Sequence, residues 1–377
     1  MVSESFFRSE SLPEYALWKS VEEKRIPFSF DLEVTARCNN ACRHCYINLG
    51  ASDPVAKRQE LSLVEIQGIV HQAVDLGALW CLVTGGEPLL RQDFSDIYLM
   101  LKKQGLLVSV FTNACLVTPE HVKLFQNYPP RDIEVTVYGV SAQTYEKVTR
   151  RPGSYAAFRR GLDRLLEGDV RVRLKAMALR SNYQELPEIG RFCRAHTWDY
   201  FRFDPLLHLR YDGDQQRNEE IKSERLSPAE IVTLEQNDEE RRISLQKECK
   251  SLDQIHPDGP GCDHLFHCGA GQSSFTVGYD GTFRLCSSLF AHGCTVDLRQ
   301  QTLADAWYGL VPKVRDLRSS SEGFRQTCRI CPLVDLCLWC PANGHLECGE
   351  MDGHSEYFCQ VAHARAEAVS MRSSSQP

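Results

Sequence analysis

One stretch constrains this chain more than any other: Cys38-Asn39-Asn40-Ala41-Cys42-Arg43-His44-Cys45. Its three cysteines follow directly on Phe28–Thr35, an apolar-alternating run that reads as a strand. Three thiolates on so tight a loop can bind one face of a metal centre. A tetrahedral zinc takes a fourth protein ligand nearby. A [4Fe–4S] cluster on three cysteines keeps one iron open for a substrate or cofactor. A zinc knuckle and three unrelated core cysteines are the alternatives to that reading.

The 377 residues suffice for two or three domains. Hydrophobic residues make up 42% and charged residues 25%, as in ordinary globular proteins. A net charge of −7 gives no basic field for nucleic acid. No apolar run is long enough to span a membrane, and the acidic N-terminus lacks a secretory core. A cytoplasmic location is therefore expected. In a reducing compartment, 17 cysteines point to metal ligation rather than disulfides. Scattered Cys81, Cys115, Cys193, Cys249 and Cys294 read as small core residues.

From Phe28 onward, strand and helix patterns alternate. Strands are expected at 28–35, 79–83, 106–111, 133–137, 170–179 and 200–203. Helices are expected between them, with Ser62 and Glu65 forming a capping box and Pro119 at a helix start. Six alternating strands predict an α/β fold, a partial (β/α)6 TIM-like barrel with sites at the carboxyl ends of its strands. The cysteine loop lies at such an end. So does Thr84-Gly85-Gly86-Glu87-Pro88, where paired glycines allow close backbone approach to a ligand. Asn113 ends the third strand, and Thr136, Tyr138 and Gly139 end the fourth. Arg173 and Lys175 lie on the fifth, which ends in Arg180. Arg202 and Asp204 alternate on the sixth. Solvated charge is the other reading of these basic residues.

Residues 1–27 read as an arm, 28–210 as the barrel, 211–256 as a solvated helical bridge, 257–362 as a Cys-rich extension and 363–377 as a tail ending in a disordered segment. Ser227-Pro228-Ala229-Glu230 starts a helix in the bridge. In the extension, Tyr279-Asp280-Gly281 signals a β-hairpin between Cys268 and Cys286. Then come Cys328-x2-Cys331-x5-Cys337-x2-Cys340, Cys348 and Cys359. Two four-cysteine zinc sites fit the extension's spacing as well as iron–sulfur clusters do.

Taken together, the C-x3-C-x2-C loop with aromatic His44 before its third cysteine and the GGEP turn resemble the radical S-adenosylmethionine (SAM) superfamily. The last third resembles its SPASM extension. That resemblance implies SAM bound to the open iron of a cluster on Cys38, Cys42 and Cys45. It implies two auxiliary [4Fe–4S] clusters, one on Cys262, Cys268, Cys286 and Cys340, the other on Cys328, Cys331, Cys337 and Cys359. The x2 gap before Cys340 is one residue shorter than the family form, and Cys348 is the substitute ligand. SAM contacts are expected from His44, Gly85, Gly86, Glu87, Asn113, Thr136, Lys175 and Arg180. Tyr138 stands where many relatives carry a carboxylate.

The resemblance further implies an oxidoreductase that makes a 5'-deoxyadenosyl radical and removes a substrate hydrogen. The expected substrate is a ribosomally made peptide, with a low-potential donor such as flavodoxin or ferredoxin and a separate peptide-recognition protein as partners. Sulfatase maturation is disfavoured, because Ser287 follows Cys286 where those relatives place a catalytic Asp. A small molecule such as a tetrapyrrole or sugar is the alternative substrate, its carboxylates met by Arg173, Arg180, Arg202 and Arg210. A non-catalytic metal-binding redox scaffold is the alternative of a different class.

Overall fold

The computed structural model describes residues 20, 21, 23–197, 202–250, 263–337 and 339–373. The expected arm therefore lies mostly outside the described residues, as do Cys262, the 251–261 boundary and the last four residues.

Six parallel strands form the barrel wall: β1 (Ser29–Thr35), then, after the short pair β2 (Arg37–Cys38) and β3 (Leu49–Gly50), β4 (Trp80–Gly85), β5 (Leu107–Thr112), β6 (Asp132–Thr136), β7 (Val172–Met177) and β8 (Arg202–Asp204). Each matches an expected strand within a few residues. The period-two pattern explains the wall. Phe30, Leu32, Val34, Val83, Val110, Val135 and Leu174 belong to one core with the helix residues Ile66, Ile69, Ile97, Leu162 and Ile189. The alternate residues turn to the lumen, where Lys175 pairs with Glu134. Helix starts follow the expected caps, with reciprocal capping boxes at Ser62/Glu65 and Ser227/Glu230.

The extension is not separate from the wall. The hairpin signalled at Asp280-Gly281 forms between β9 (Ser274–Val277) and β10 (Thr282–Arg284), with β11 (Val296–Asp297) beyond. Gly281 turns it with a φ of 87°. Strand β9 then pairs parallel with β1, Ser29 opposite Ser274 and Leu32 opposite Val277. One nine-stranded sheet results, in the order β11-β10-β9-β1-β4-β5-β6-β7-β8. Glu33 of β1 and Arg284 of β10 meet at 2.6 Å, their side chains 1% and 3% exposed.

The bridge departs from a solvated linker. Its helices Gln215–Glu224, Pro228–Asn237 and Glu239–Lys250 carry charges that are partly buried and paired. Glu235 meets Arg365 at 2.7 Å, with side chains 1% and 2% exposed. That arginine lies on the last helix, Glu356–Ser373, so helix occupies much of the stretch read as a tail. Among the described residues no helix is long and apolar enough to cross a membrane.

Replacing Arg284 by Met strands the Glu33 carboxylate in the sheet. We expect a loss of about 3 kcal/mol, the scale for removing one partner of a buried pair. Urea unfolding checks it, and an E33L/R284M pair should recover most of the loss.

Candidate functional site

The cysteine loop is held from several sides. Strand β2 pairs with β3, which closes the loop at its base. Arg37 braces that base with Nε on Glu60 at 2.7 Å and Nη1 on Ala51 O at 2.9 Å. Ala41 N–H donates to Thr149 O at 2.9 Å. Two donors reach the first cysteine sulfur, Asn40 N–H at 3.4 Å and Asn113 Nδ2 at 3.7 Å.

The Gly-Gly turn presses against this loop from below. A Cβ on Gly85 would overlap Thr35 O, and one on Gly86 would lie 2.6 Å from Ala36 O. Gly85 also has a φ of 134°. The glycines therefore serve approach to the protein's own backbone first, and their cavity-facing edge is a consequence. Gly86 N–H donates to Thr35 O at 2.6 Å, and Glu87 N–H to Arg37 O at 2.9 Å.

Glu87 differs from the sequence expectation. It does not line the cavity. Its fully buried carboxylate accepts from Leu89 N–H at 3.0 Å, Thr112 Oγ1 at 2.7 Å and Asn113 N–H at 2.7 Å. Burial pushes its carboxyl up to about 7, against these three bonds. Its work is to tie the ends of β4 and β5 together.

Above the turn lies a cavity of about 280 Å³. Cys38, Cys42 and Cys45 edge it, and His44, Gly85, Gly86, Asn113, Thr136 and Lys175 line it as expected. Tyr138 and Asp204 line it too, with the Tyr138 ring 5.2 Å from His44. Burial, and then the Arg217 charge, push His44 down to about 4, so it is neutral at physiological pH. His44 Nδ1 is buried without a hydrogen-bond partner. Burial also pushes the Cys38 and Cys42 thiols up, so loading a metal centre there releases protons. Three sulfurs around one open cavity, with polar groups opposite, fit a cluster that carries a further ligand.

Arg180 lies elsewhere. It pairs with Glu230 of the bridge, Nη2 to Oε2 at 2.7 Å, and does not line the cavity. Arg173 lies 3.7 Å from Asp132, and neither lines the cavity. Arg210 contacts the loop from outside the lining, and the Arg202 side chain lies outside the described residues. Of the arginines expected to meet carboxylates, Arg173, Arg180 and Arg210 are thus not gathered at the cavity. Sequence reasoning missed Met177, Leu206, Leu207 and His208, which also line the cavity. Only the period-two pattern of β7 signalled Met177, and no spacing marked the other three.

The tail cysteines fall into two groups. Cys328, Cys331, Cys337 and Cys359 line a second cavity of about 40 Å³. Cys340 caps the helix Pro341–Cys348, its Sγ accepting from Asn343 N–H at 3.4 Å. Burial, with Cys286 and Cys268 close by, pushes the Cys340 thiol up to about 12. Cys348 is instead exposed and donates to His354 O at 3.2 Å. Among the described residues no three His, Cys, Asp or Glu side chains converge as a single metal ion needs.

Residues 32–193 match the radical SAM superfamily model. The chain carries a radical SAM domain. An AdoMet-dependent heme synthase of Methanosarcina barkeri is 24% identical over 84% of this chain and 92% of its own length. The antilisterial bacteriocin subtilosin biosynthesis protein AlbA of Bacillus subtilis is 25% identical over 51% of this chain, and under half of that relative (44%) is spanned. Streptococcus suis SuiB bound to its precursor peptide SuiA superimposes with a TM-score of 0.66 at 17% identity, covering 91% of this chain and 79% of that one. The AdoMet-bound anSMEcpe gives 0.61 at 13% identity, covering 91% and 93%. These structures share the fold, a partial barrel built on a large parallel sheet. With the radical SAM domain and enzymes among its relatives, the chain is a radical SAM enzyme. Its family implies SAM and a [4Fe–4S] cluster.

Replacing Gly86 by Ala should push the loop off its seat. We expect an unchanged far-ultraviolet spectrum with loss of SAM binding by at least tenfold, read by equilibrium dialysis on the reconstituted protein.

Proposed function

We propose that this radical SAM enzyme removes a hydrogen atom from a side chain of a ribosomally made peptide. Cys38, Cys42 and Cys45 hold the cluster, and Gly85, Gly86, Asn113, Thr136, His44 and Lys175 flank SAM. When bound and reduced, that cluster supplies the electron that splits SAM into methionine and a 5'-deoxyadenosyl radical. Eight tail cysteines, Cys262, Cys268, Cys286 and Cys340 with Cys328, Cys331, Cys337 and Cys359, hold two auxiliary clusters. A low-potential donor of the flavodoxin or ferredoxin kind delivers the electron, and a separate protein presents the peptide.

The observation that carries the substrate class is the cavity lining. Phe111, Tyr138, Met177, Leu206 and Leu207 make it largely apolar, and its one lysine is already paired with Glu134. A side chain suits such walls better than several carboxylates, which need cations to replace their water. The same walls exclude water from a radical. His208 also lines the cavity and would take the proton released when the substrate radical gives up its electron, for which the auxiliary clusters held by the tail cysteines would be the acceptor. Its Nδ1 lies 2.7 Å from the Asn343 carboxamide oxygen, which accepts only, so Nδ1 carries the hydrogen and Nε2 is the base. The second reading, a tetrapyrrole substrate, draws on the near full-length similarity to the Methanosarcina barkeri heme synthase.

Anaerobically reconstituted protein should cleave SAM under dithionite, and Cys42→Ala should abolish 5'-deoxyadenosine release. Unchanged release would overturn the assignment. Deuterium moving into 5'-deoxyadenosine from a deuterated peptide pool supports the peptide reading, and movement only from a deuterated tetrapyrrole contradicts it. Wild type should hold about 12 irons, falling to about 8 in the Cys38/Cys42/Cys45 triple Ala variant. His208→Gln should retain 5'-deoxyadenosine formation while product falls at least tenfold, read by mass spectrometry of the treated peptide.

A further inference from the structure

Two guanidinium groups from outside the barrel grip the cysteine loop. Arg217 Nη2 donates to Cys42 O at 3.1 Å and to Asn48 Oδ1 at 2.7 Å. Arg210 Nη1 donates to Cys45 O at 3.4 Å and to Asn48 O at 3.2 Å. Two of the three loop cysteines thus carry an arginine on their own carbonyl, and Asn48 joins the two contacts. Both arginines come from the segment that runs from the cavity wall into the bridge.

The two are anchored differently. Arg210 is 4% exposed and its Nε lies 3.0 Å from Asp212 Oδ2, so its charge is largely offset by that carboxylate. Its own N–H is fixed on Asn218 Oδ1 at 2.8 Å. Arg217 has a looser carboxylate. Glu220 lies 3.5 Å from its Nε and is shared with Arg150 at 2.7 Å. Arg43 lies in the loop itself and Arg150 shares Glu220, so Arg217 is one of several cations there; of the two arginines that reach the loop backbone from the bridge side, it has the looser carboxylate.

A carbonyl needs only a neutral donor. A cation at that place acts on whatever charge the cysteines hold. A cluster on three thiolates gains negative charge on reduction, and a nearby cation stabilises the reduced form more than the oxidised one. Groups beyond the ligands that contact them set such potentials. Asn40, Cys42 and His44 of the loop are buried, so salt screens the effect there less than between surface charges.

We propose that Arg210 and Arg217 form a clamp, Arg210 fixing the shape of the cysteine loop and Arg217 raising the reduction potential of the cluster bound there. Both are positioning residues for SAM cleavage. The inference rests on the radical SAM reading of the loop.

The test uses the full chain reconstituted with iron and sulfide. Wild type, R217Q and R217K are titrated redox-potentiometrically by electron paramagnetic resonance. Added SAM identifies the signal of interest by perturbing it. R217Q should show a reduced-to-oxidised ratio about tenfold lower at the same potential, equal to a shift of about 59 mV to the negative side for one electron. R217K, which keeps the charge and loses the fork, should stay close to wild type. Coincident curves for wild type and R217Q overturn the proposal, as does an equal shift in R217K and R217Q. If R217Q fails to load iron, R217K decides, a wild-type potential supporting the clamp and a shifted one overturning it. A wild-type signal that SAM leaves unperturbed overturns the reading of the loop itself, a separate failure.

Discussion

The close packing of Thr84–Glu87 beneath Thr35–Arg37 is the contact on which the site depends. Two consecutive residues without a Cβ let the end of β4 come within hydrogen-bonding distance of the chain leaving β1. Glu87 then extends the contact sideways to β5 through Thr112 and Asn113. Asn113 in turn reaches back to Asn39 at 2.8 Å and to the Cys38 sulfur. Three strand ends and the cysteine loop are thereby locked as one unit. A loop of eight residues with three cysteines has no core of its own, and this lock supplies its shape.

Strand β1 joins the two halves of the molecule. On one side it pairs with β4 and on the other with β9 of the extension, so the cysteine loop grows from the middle of a continuous sheet. The buried Glu33–Arg284 pair crosses that junction. Such pairs add little net stability but punish any arrangement that separates the partners. The bridge repeats the device with Glu235–Arg365. Asn343 links the same halves near the cavity, its N–H on Cys340 and its carboxamide on His208.

Much of this was legible in the sequence where a local rule decides it. Period-two apolar runs gave the six wall strands, and the Asp-Gly pair gave the hairpin. The cysteine loop and the GGEP turn carried the radical SAM reading. The grouping of the tail cysteines came from the resemblance to the SPASM extension and not from spacing alone, and burial of Cys340 beside Cys286 distinguishes it from exposed Cys348. What stayed hidden depends on partners far apart in sequence. Glu87 looks like a ligand contact until Thr112 and Asn113 come beside it. Arg180 looks like a cavity residue until Glu230 draws it away. The pairing of β9 with β1, the turn of His208 into the lining and the grip of Arg210 and Arg217 on residues some 160 to 175 positions earlier have no local signal.

The central claim is that Cys38, Cys42 and Cys45 leave one iron open to SAM in the cavity they edge. Electron–nuclear double resonance on the reduced, reconstituted protein with SAM carrying ¹⁵N in its amino group measures this most directly. The account predicts a ¹⁵N hyperfine coupling large enough to require that nitrogen on an iron of the cluster. A cluster signal with no such coupling at saturating SAM would contradict it.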